Sequence, residues 1–389
     1  MVQKFFLFSL FLFLISYSSI AQPDSCHLRI SLLTASPGEE LYSTFGHSAL
    51  RITDSLSNDD VVYNYGTFNF DEPGFYLKFI QGKLMYYLST EDFNSFKQSY
   101  QQENRSLIEQ VLNLSCTEKQ KLLQLLQLNL QGENKFYKYD FLFDNCTTRL
   151  RDLLEKTADS SVYFTTILKT NTSFRELIHE YLNYNYKEWS KLGIDLLLGA
   201  KTDAIMNKRE IMFLPDYLLK GFDSATISGK PVVAFKNNVY NLQPKKVEKN
   251  FLISPVFIFS LLLIAIVLLS FSKNDGVKKL LYGFDGFLFF ITGFAGLLIL
   301  VMWFFTEHLL TKDNYNIIWA WPTHLIMAFF IHSKKNWVKK YFWTVAIFNM
   351  LVLIVWFFLP QQLNPAFIPF VLLLIVRSIF YAKQQINTI

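Results

Sequence analysis

Five apolar stretches crowd the last third of the chain, and they limit its fold more than any other feature. They cover residues 251–271, 283–305, 317–331, 341–359 and 366–380. A helical bilayer crossing takes about 20 apolar residues, so the third and fifth are short. Backbone polar groups in hydrocarbon must bond within their own segment, which makes such runs helices. The expectation is an all-α membrane domain of five transmembrane helices over residues 251–383, with a cytoplasmic tail at 384–389. Loop charge orients it. Lys273, Lys278 and Lys279 lie between the first two runs, and Lys334, Lys335, Lys339 and Lys340 between the third and fourth. The loop after the second run has only Lys312, and residues 361–365 have no lysine. Lysine-rich loops stay in the cytoplasm, so everything before residue 251 faces outward. Composition agrees: 51% of residues are apolar, 18% are charged and 40 are Phe. The net charge of +5 gives no nucleic-acid patch, because the clustered lysines sit between apolar spans.

The other end of the chain gives the same orientation. Residues 1–21 have a basic start at Lys4, an apolar core over 5–15 and a small-x-small close at Ser19-Ile20-Ala21. This reads as a signal peptide; a retained anchor competes, but the core is short for a span. Pro23-Asp24-Ser25 lacks the apolar-small-small run of a lipidated cysteine, so Cys26 is not read as one. Residues 22–242 are then an exported domain and 243–250 a charged linker, which places the protein in the inner membrane with its main domain in the periplasm. All three cysteines, Cys26, Cys116 and Cys146, fall in the exported part, where disulfides form. The reading pairs Cys26 with Cys116 and leaves Cys146 as a thiol.

The exported domain reads as α+β. Strands are expected at residues 27–34, 41–52, 61–66 and 105–114, and helices at 91–103, 117–130, 174–186 and 192–198. Thr117 to Gln120 has a capping-box pattern. Residues 75–88 are mixed and receive no assignment, and 232–242 reads as a small hairpin. The centre is the run from Tyr139 to Asp152. It is an aromatic extended segment that stops at Asp144-Asn145, with a helix starting at Cys146. Asn is a strong N-cap. Leu150, Leu153 and Leu154 share a helix face with Cys146 and turn it inward. A helix N-terminus favours a thiolate; a small buried cysteine is the competing account. His47 is the best partner among the domain's histidines, the others being His27 and His179. Period two puts it on a face with Phe45 and Ala49, beside Gly46, where another backbone or a ligand can come close. A satisfied core histidine is the alternative. A cysteine at a helix start with a histidine on the sheet is the layout of papain-like nucleophilic catalysis. No short metal-ligand spacing, phosphate loop or dinucleotide fingerprint occurs, so no metal or cofactor is expected. In the outer loop, Glu307 and His308 lie at the expected interface, as lipid- or cavity-facing groups or as passive polar residues. Trp319 and Trp321 are ordinary interfacial anchors.

Four segments together resemble the Lnb family, the lipoprotein N-acyltransferases of Bacteroidota. They are the run from Leu33 to Arg51 with Gly46-His47-Ser48, the run from Tyr139 to Asp152 with Asp144-Asn145-Cys146, Phe213-Leu214-Pro215, and the multi-span tail with Glu307-His308 and Asn314-Tyr315-Asn316. The family's pattern has a proline after the outer-loop histidine; here it is Leu309, which leaves the shape of that loop open. The Asn-Cys motif with an earlier histidine is also similar to permuted papain-like enzymes of the NlpC and lecithin:retinol acyltransferase types. The resemblance implies a permuted papain-like periplasmic domain with Cys146 as nucleophile and His47 as base. Asn64 is the chosen third residue, with Tyr63 or Tyr65 as alternatives. Asn145, Gly46, Glu307 and His308 are implied at the substrate. It implies acyl transfer from a membrane phospholipid, through a cysteine thioester, to the α-amine of diacylated lipoproteins. Two other readings stand beside it: a membrane-anchored cysteine peptidase or amidase acting on peptidoglycan, and a non-enzymatic receptor or envelope assembly protein.

Overall fold

The computed structural model describes residues 26–158, 160–168, 171–242 and 250–383. The expected signal peptide, the linker over 243–249 and the tail at 384–389 lie outside the described residues. The first part of the chain is a mixed α/β domain built on one antiparallel sheet. In chain order its elements are β1 (Leu28–Ala35), β2 (His47–Asp54), β3 (Asp59–Thr67), α1 (Phe75–Gln81), β4 (Met85–Asp92), α2 (Phe93–Gln102), β5 (Leu107–Leu112), α3 (Cys116–Asn129), β6 (Phe136–Lys138) and α4 (Cys146–Thr157). Then come β7 (Val162–Tyr163), α5 (Phe174–Tyr184), α6 (Glu188–Leu197), α7 (Pro215–Ser224), β8 (Thr226–Ile227), β9 (Lys230–Pro231) and β10 (Val233–Tyr240). The main sheet runs β10-β5-β1-β2-β3-β4-β6, and β7, β8 and β9 form a small separate one. Residues 232–242 are thus an edge strand on β5 and not a self-contained hairpin.

Alternation in β1 shows how the sheet is covered. Ile30 and Leu32 face a core shared with Leu122 and Leu126 of α3, Leu150, Leu153 and Leu154 of α4, and Leu218 and Phe222 of α7. Leu33 and Ala35 face the opposite side, against Phe93 and Phe96 of α2. Period two thus divides one strand between two helical layers. A third cluster joins α5 to Phe213, Leu214 and Tyr217, and Leu310 from the far side of the chain packs into it.

Several local expectations need correcting. The strand read over 41–52 begins only at His47, since Leu41–Ser43 is a 3-10 turn and Gly46 has φ +82°. Phe45 therefore leaves the face of His47 and packs on Phe141 and Tyr181. The cap of α3 is Ser115 paired with Glu118, two residues ahead of the pattern at Thr117. Residues 75–88 resolve into α1 and the start of β4. No disulfide joins Cys26 to Cys116. The β1–β5 register, continued, would set these two opposite each other, but that ladder stops at Ser31–Val111. Asn113 bonds to Val232 instead, and Ser115 turns the chain into α3.

The second part is helical: α8 (Pro255–Leu269), α9 (Asp275–Phe304), α10 (Thr323–Met327), α11 (Asn336–Val355) and α12 (Phe367–Lys383). Among the described residues two helical stretches, Asp275–Phe304 and Asn336–Phe358, are long and apolar enough to cross a membrane. The third apolar run is not one helix. Tyr315–Ile318 is a 3-10 turn, and Pro322, which cannot donate to a preceding turn, precedes the five-residue α10. Inside the bundle Arg377 makes two bonds to Asp285, 2.7 and 2.6 Å, and Tyr381 adds a third at 2.6 Å.

The two parts share a buried polar joint. Asp195 on α6 bonds Arg175 at 2.7 Å, His179 at 2.8 Å and Asn364 of the helical part at 2.8 Å. Asn316 donates to the Asp195 carbonyl at 2.9 Å, Asn314 to that of Leu196 at 2.8 Å and Gln361 to that of Leu198 at 2.8 Å. The Gly199 N–H donates to the Leu310 carbonyl at 2.8 Å. The side chains of Asn314 and Asn316 thus cap carbonyls at the end of α6, which would otherwise be buried without partners.

Candidate active site

Cys146 opens α4, and Asn145 holds the start of that helix in place. The Asn145 Oδ1 accepts from the N–H groups of Thr147 and Thr148, both at 2.9 Å, and Nδ2 donates to the Phe141 and Phe213 carbonyls at 2.7 and 2.9 Å. With both ends committed and the side chain buried, Asn145 is a structural cap. Its expected place at the substrate is not what this geometry offers. Thr147 Oγ1 also donates to the Phe213 carbonyl, at 2.6 Å. Pro215 of the same Phe213-Leu214-Pro215 run lies 3.4 Å from where a Cβ on Gly46 would be. That run therefore braces the helix carrying Cys146 and the turn leading to His47. The close approach at Gly46 is by protein backbone: a Cβ there would come within 2.7 Å of the Ala35 carbonyl.

His47 is the first residue of β2, where α4 packs across the strand. Its Nε2 donates to Asn64 Oδ1 at 3.2 Å, and the ring sits close enough to the Cys146 thiol for each to shift the other's titration. Asn64 in turn donates from Nδ2 to Glu91 Oε1 at 2.7 Å. Three residues singled out in the sequence, Cys146, His47 and Asn64, thus meet in one line. Tyr63 and Tyr65 do not join it, because they face the other side of β3, where Tyr65 takes a bond from Asn129. Glu91 was missed; it is remote in sequence, and only the β3–β4 pairing brings it to Asn64. Tyr100 of α2, also missed, stacks on His47 with ring centroids 6.5 Å apart.

The charges are set by these contacts. Burial raises the Cys146 thiol, but the adjacent His47 charge, its hydrogen bond and the N–H groups of Ser48 and Thr147 outweigh it, and the thiol ends below its ordinary value. Burial lowers His47, and the Cys146 thiolate with the bonds to Cys146 and Asn64 more than reverses that. Each group favours the charged form of the other, which draws the thiol and the imidazole toward a shared proton. Cys146 and His47 both remain partly open to solvent. Among the described residues no group of three or more His, Cys, Asp or Glu could hold a metal ion.

The outer-loop pair is placed elsewhere. Glu307 pairs with Lys138 of β6, and its N–H donates to the Gln81 carbonyl at 2.8 Å. His308 Nε2 bonds the Phe79 carbonyl at 2.9 Å. Both residues hold α1 against the outer end of α9 and have no bond to Cys146 or His47. The loop joins the two parts of the molecule.

Residues 17–187 match the family model described as the Lnb N-terminal periplasmic domain, and residues 246–388 match the Lnb transmembrane domain. The chain belongs to the Lnb family. It is a membrane protein with a periplasmic domain, as both matches describe. No curated protein and no solved structure matches it. The line from Cys146 to Asn64 falls within the Lnb periplasmic match, and Glu307 and His308 fall within the transmembrane one.

Proposed function

We propose that this Lnb protein is an acyltransferase of the inner membrane, multi-pass, working through a Cys146 thioester. The acyl donor is a membrane phospholipid and the acceptor is the α-amine of a diacylglyceryl-cysteine lipoprotein. The observation that carries the reading is Cys146 at a helix N-terminus beside His47, whose ring is held by Asn64 on Nε2. His47 preceding Cys146 is the order of permuted papain-like enzymes, and five membrane spans complete the architecture on this reading.

The steps follow from the groups present. The Cys146 thiolate attacks the ester carbonyl of the lipid. The tetrahedral intermediate collapses, and His47 gives its proton to the leaving alkoxide, releasing a lysolipid and leaving the thioester. The lipoprotein amine then attacks the thioester carbonyl, His47 takes the amine proton, and the thiolate departs. The Asn145 cap uses the N–H groups of Thr147 and Thr148, so the Cys146 N–H is the donor available to the oxyanion at the helix start. Asn64 keeps the ring oriented through both transfers. The acceptance of two lipid substrates accounts for an active domain locked to a membrane part through Asp195, Asn314 and Gln361.

The test is Cys146→Ser in cells that depend on this protein alone. Mature lipoproteins analysed by mass spectrometry should lose their N-acyl group. Wild-type protein trapped without acceptor should carry an acyl mass that hydroxylamine removes. Full N-acylation in Cys146→Ser, with the variant at normal levels, removes the reading. Release of peptides from peptidoglycan by the wild type, with no acyl mass, favours the peptidase instead.

A further inference from the structure

Helix α1 presents an apolar face that nothing among the described residues covers. Tyr76, Leu77, Phe79 and Ile80 are 77, 61, 50 and 50% exposed, while Phe75 turns inward at 8%. Phe70 beside them is 68% exposed. A contiguous apolar patch of this kind is unfavourable in water and marks a contact surface. Its place in the fold says what covers it. Glu307 and His308 clamp the end of α1 to the loop that leaves α9, through the carbonyls of Gln81 and Phe79. There Phe304 and Phe305 are 65 and 76% exposed. The open face of α1 is thus tied to the outer end of a helix long and apolar enough to cross a membrane. A short helix with an apolar face at that level is an interfacial element.

A second observation leads inward from the same helix. Ring centroids are 6.3 Å apart from Phe79 to Phe75, 5.9 Å from Phe75 to Phe68, 5.3 Å from Phe68 to Tyr86 and 4.5 Å from Tyr86 to Tyr139. A Cβ built on Gly66 would lie 4.0 Å from the Tyr139 ring and 3.9 Å from the Cys146 Cβ. The aromatic row that begins on the exposed helix therefore ends beside the thiol.

We propose that α1 inserts its apolar face into the outer leaflet, and that the aromatic row is the surface along which a lipid acyl chain reaches Cys146. The occupant is the bilayer, because the patch continues onto the last turn of α9. A protein partner would have to displace the lipid that surrounds that turn. The insertion of α1 stands on geometry alone; the route to Cys146 rests on the transfer reading above.

The two halves are tested separately. Leu77→Cys carries a nitroxide in a full-length chain with Cys26, Cys116 and Cys146 replaced by Ser, reconstituted in phosphatidylethanolamine–phosphatidylglycerol nanodiscs. Power saturation should favour oxygen over a water-soluble nickel chelate, as at the reference Phe287→Cys on α9. A nickel-favoured profile, as expected at Leu56→Cys in the β2–β3 turn, overturns the insertion. For the route, Leu77→Asp/Ile80→Asp should slow acylation of Cys146 from phospholipid vesicles at least tenfold. Acylation from a water-soluble short-chain ester should not change. Equal rates from vesicles, or equal losses with both donors, overturn the route. A wild type acylated by neither donor removes the transfer reading and the route with it, while the nitroxide result decides the insertion on its own.

Discussion

Replacing Asn64 by Ala isolates what the third residue contributes. Asn64 is buried, and its Oδ1 accepts the Nε2–H of a histidine whose charged form the site favours. A hydrogen bond to a charged group is worth about 1.5–3 kcal/mol. Losing it withdraws that support from the imidazolium. At about 1.36 kcal/mol per pKa unit, His47 should titrate roughly one to two units lower. The sign follows from the two directions. The thiol is held below its ordinary value and His47 above its own. Without Asn64 the His47 limit moves down, while the thiol limit, which has the imidazolium on both sides of it, moves little. Alkylation of Cys146 by iodoacetamide, followed across pH by mass, reads both limits. Acyl transfer should fall roughly 10- to 150-fold, the same energy written as a rate. Glu91→Gln keeps an acceptor for the Asn64 amide and should change the profile little. An unchanged pH profile in Asn64→Ala, with a normal melting temperature, refutes the orienting role.

Other outcomes follow from single contacts. Gly46→Ala puts a Cβ 2.7 Å from the Ala35 carbonyl at φ +82°, so it should cost at least about 1–2 kcal/mol in thermal unfolding and slow Cys146 alkylation by shifting His47. Gly199→Ala would place a Cβ 1.8 Å from the Lys312 carbonyl, and it should open the joint between the two parts, read as faster proteolysis of the outer loop. Arg377→Met leaves Asp285 buried without its cation and should cost about 3–5 kcal/mol in detergent-solubilised protein, with Arg377→Met/Asp285→Leu recovering most of it. A reporter fused after Lys340 should be cytoplasmic and one after Lys312 periplasmic, and the reverse result would overturn the orientation drawn from loop lysines.

Much of the candidate site was legible because its signals are local. A helix start announces itself through Asn145 and the leucines that follow Cys146. Period two and a neighbouring glycine mark His47. Asn64 could be named only as one of three neighbours on a strand, since alternation separates faces without saying which face meets the histidine. The β2–β3 register and the turn at Gly46 made that choice. Glu91 and Tyr100 were invisible because nothing near them in sequence signals their partners. The same holds for the joint: Asp195, Arg175 and Gln361 lie far apart along the chain and matter only as a buried set.

The sequence by itself determined the division into an outward α/β domain and an apolar helical part. Both follow from hydrophobic period and loop charge, which are properties of short windows. It also determined Cys146 at a helix N-terminus, since capping is a matter of four residues. The tertiary structure alone decided that Asn145 and Gly46 brace the fold, that Glu307 and His308 hold α1, and that the third apolar run is broken around Pro322. These outcomes depend on which backbone groups find partners once distant segments pack, and a window of sequence carries no record of that.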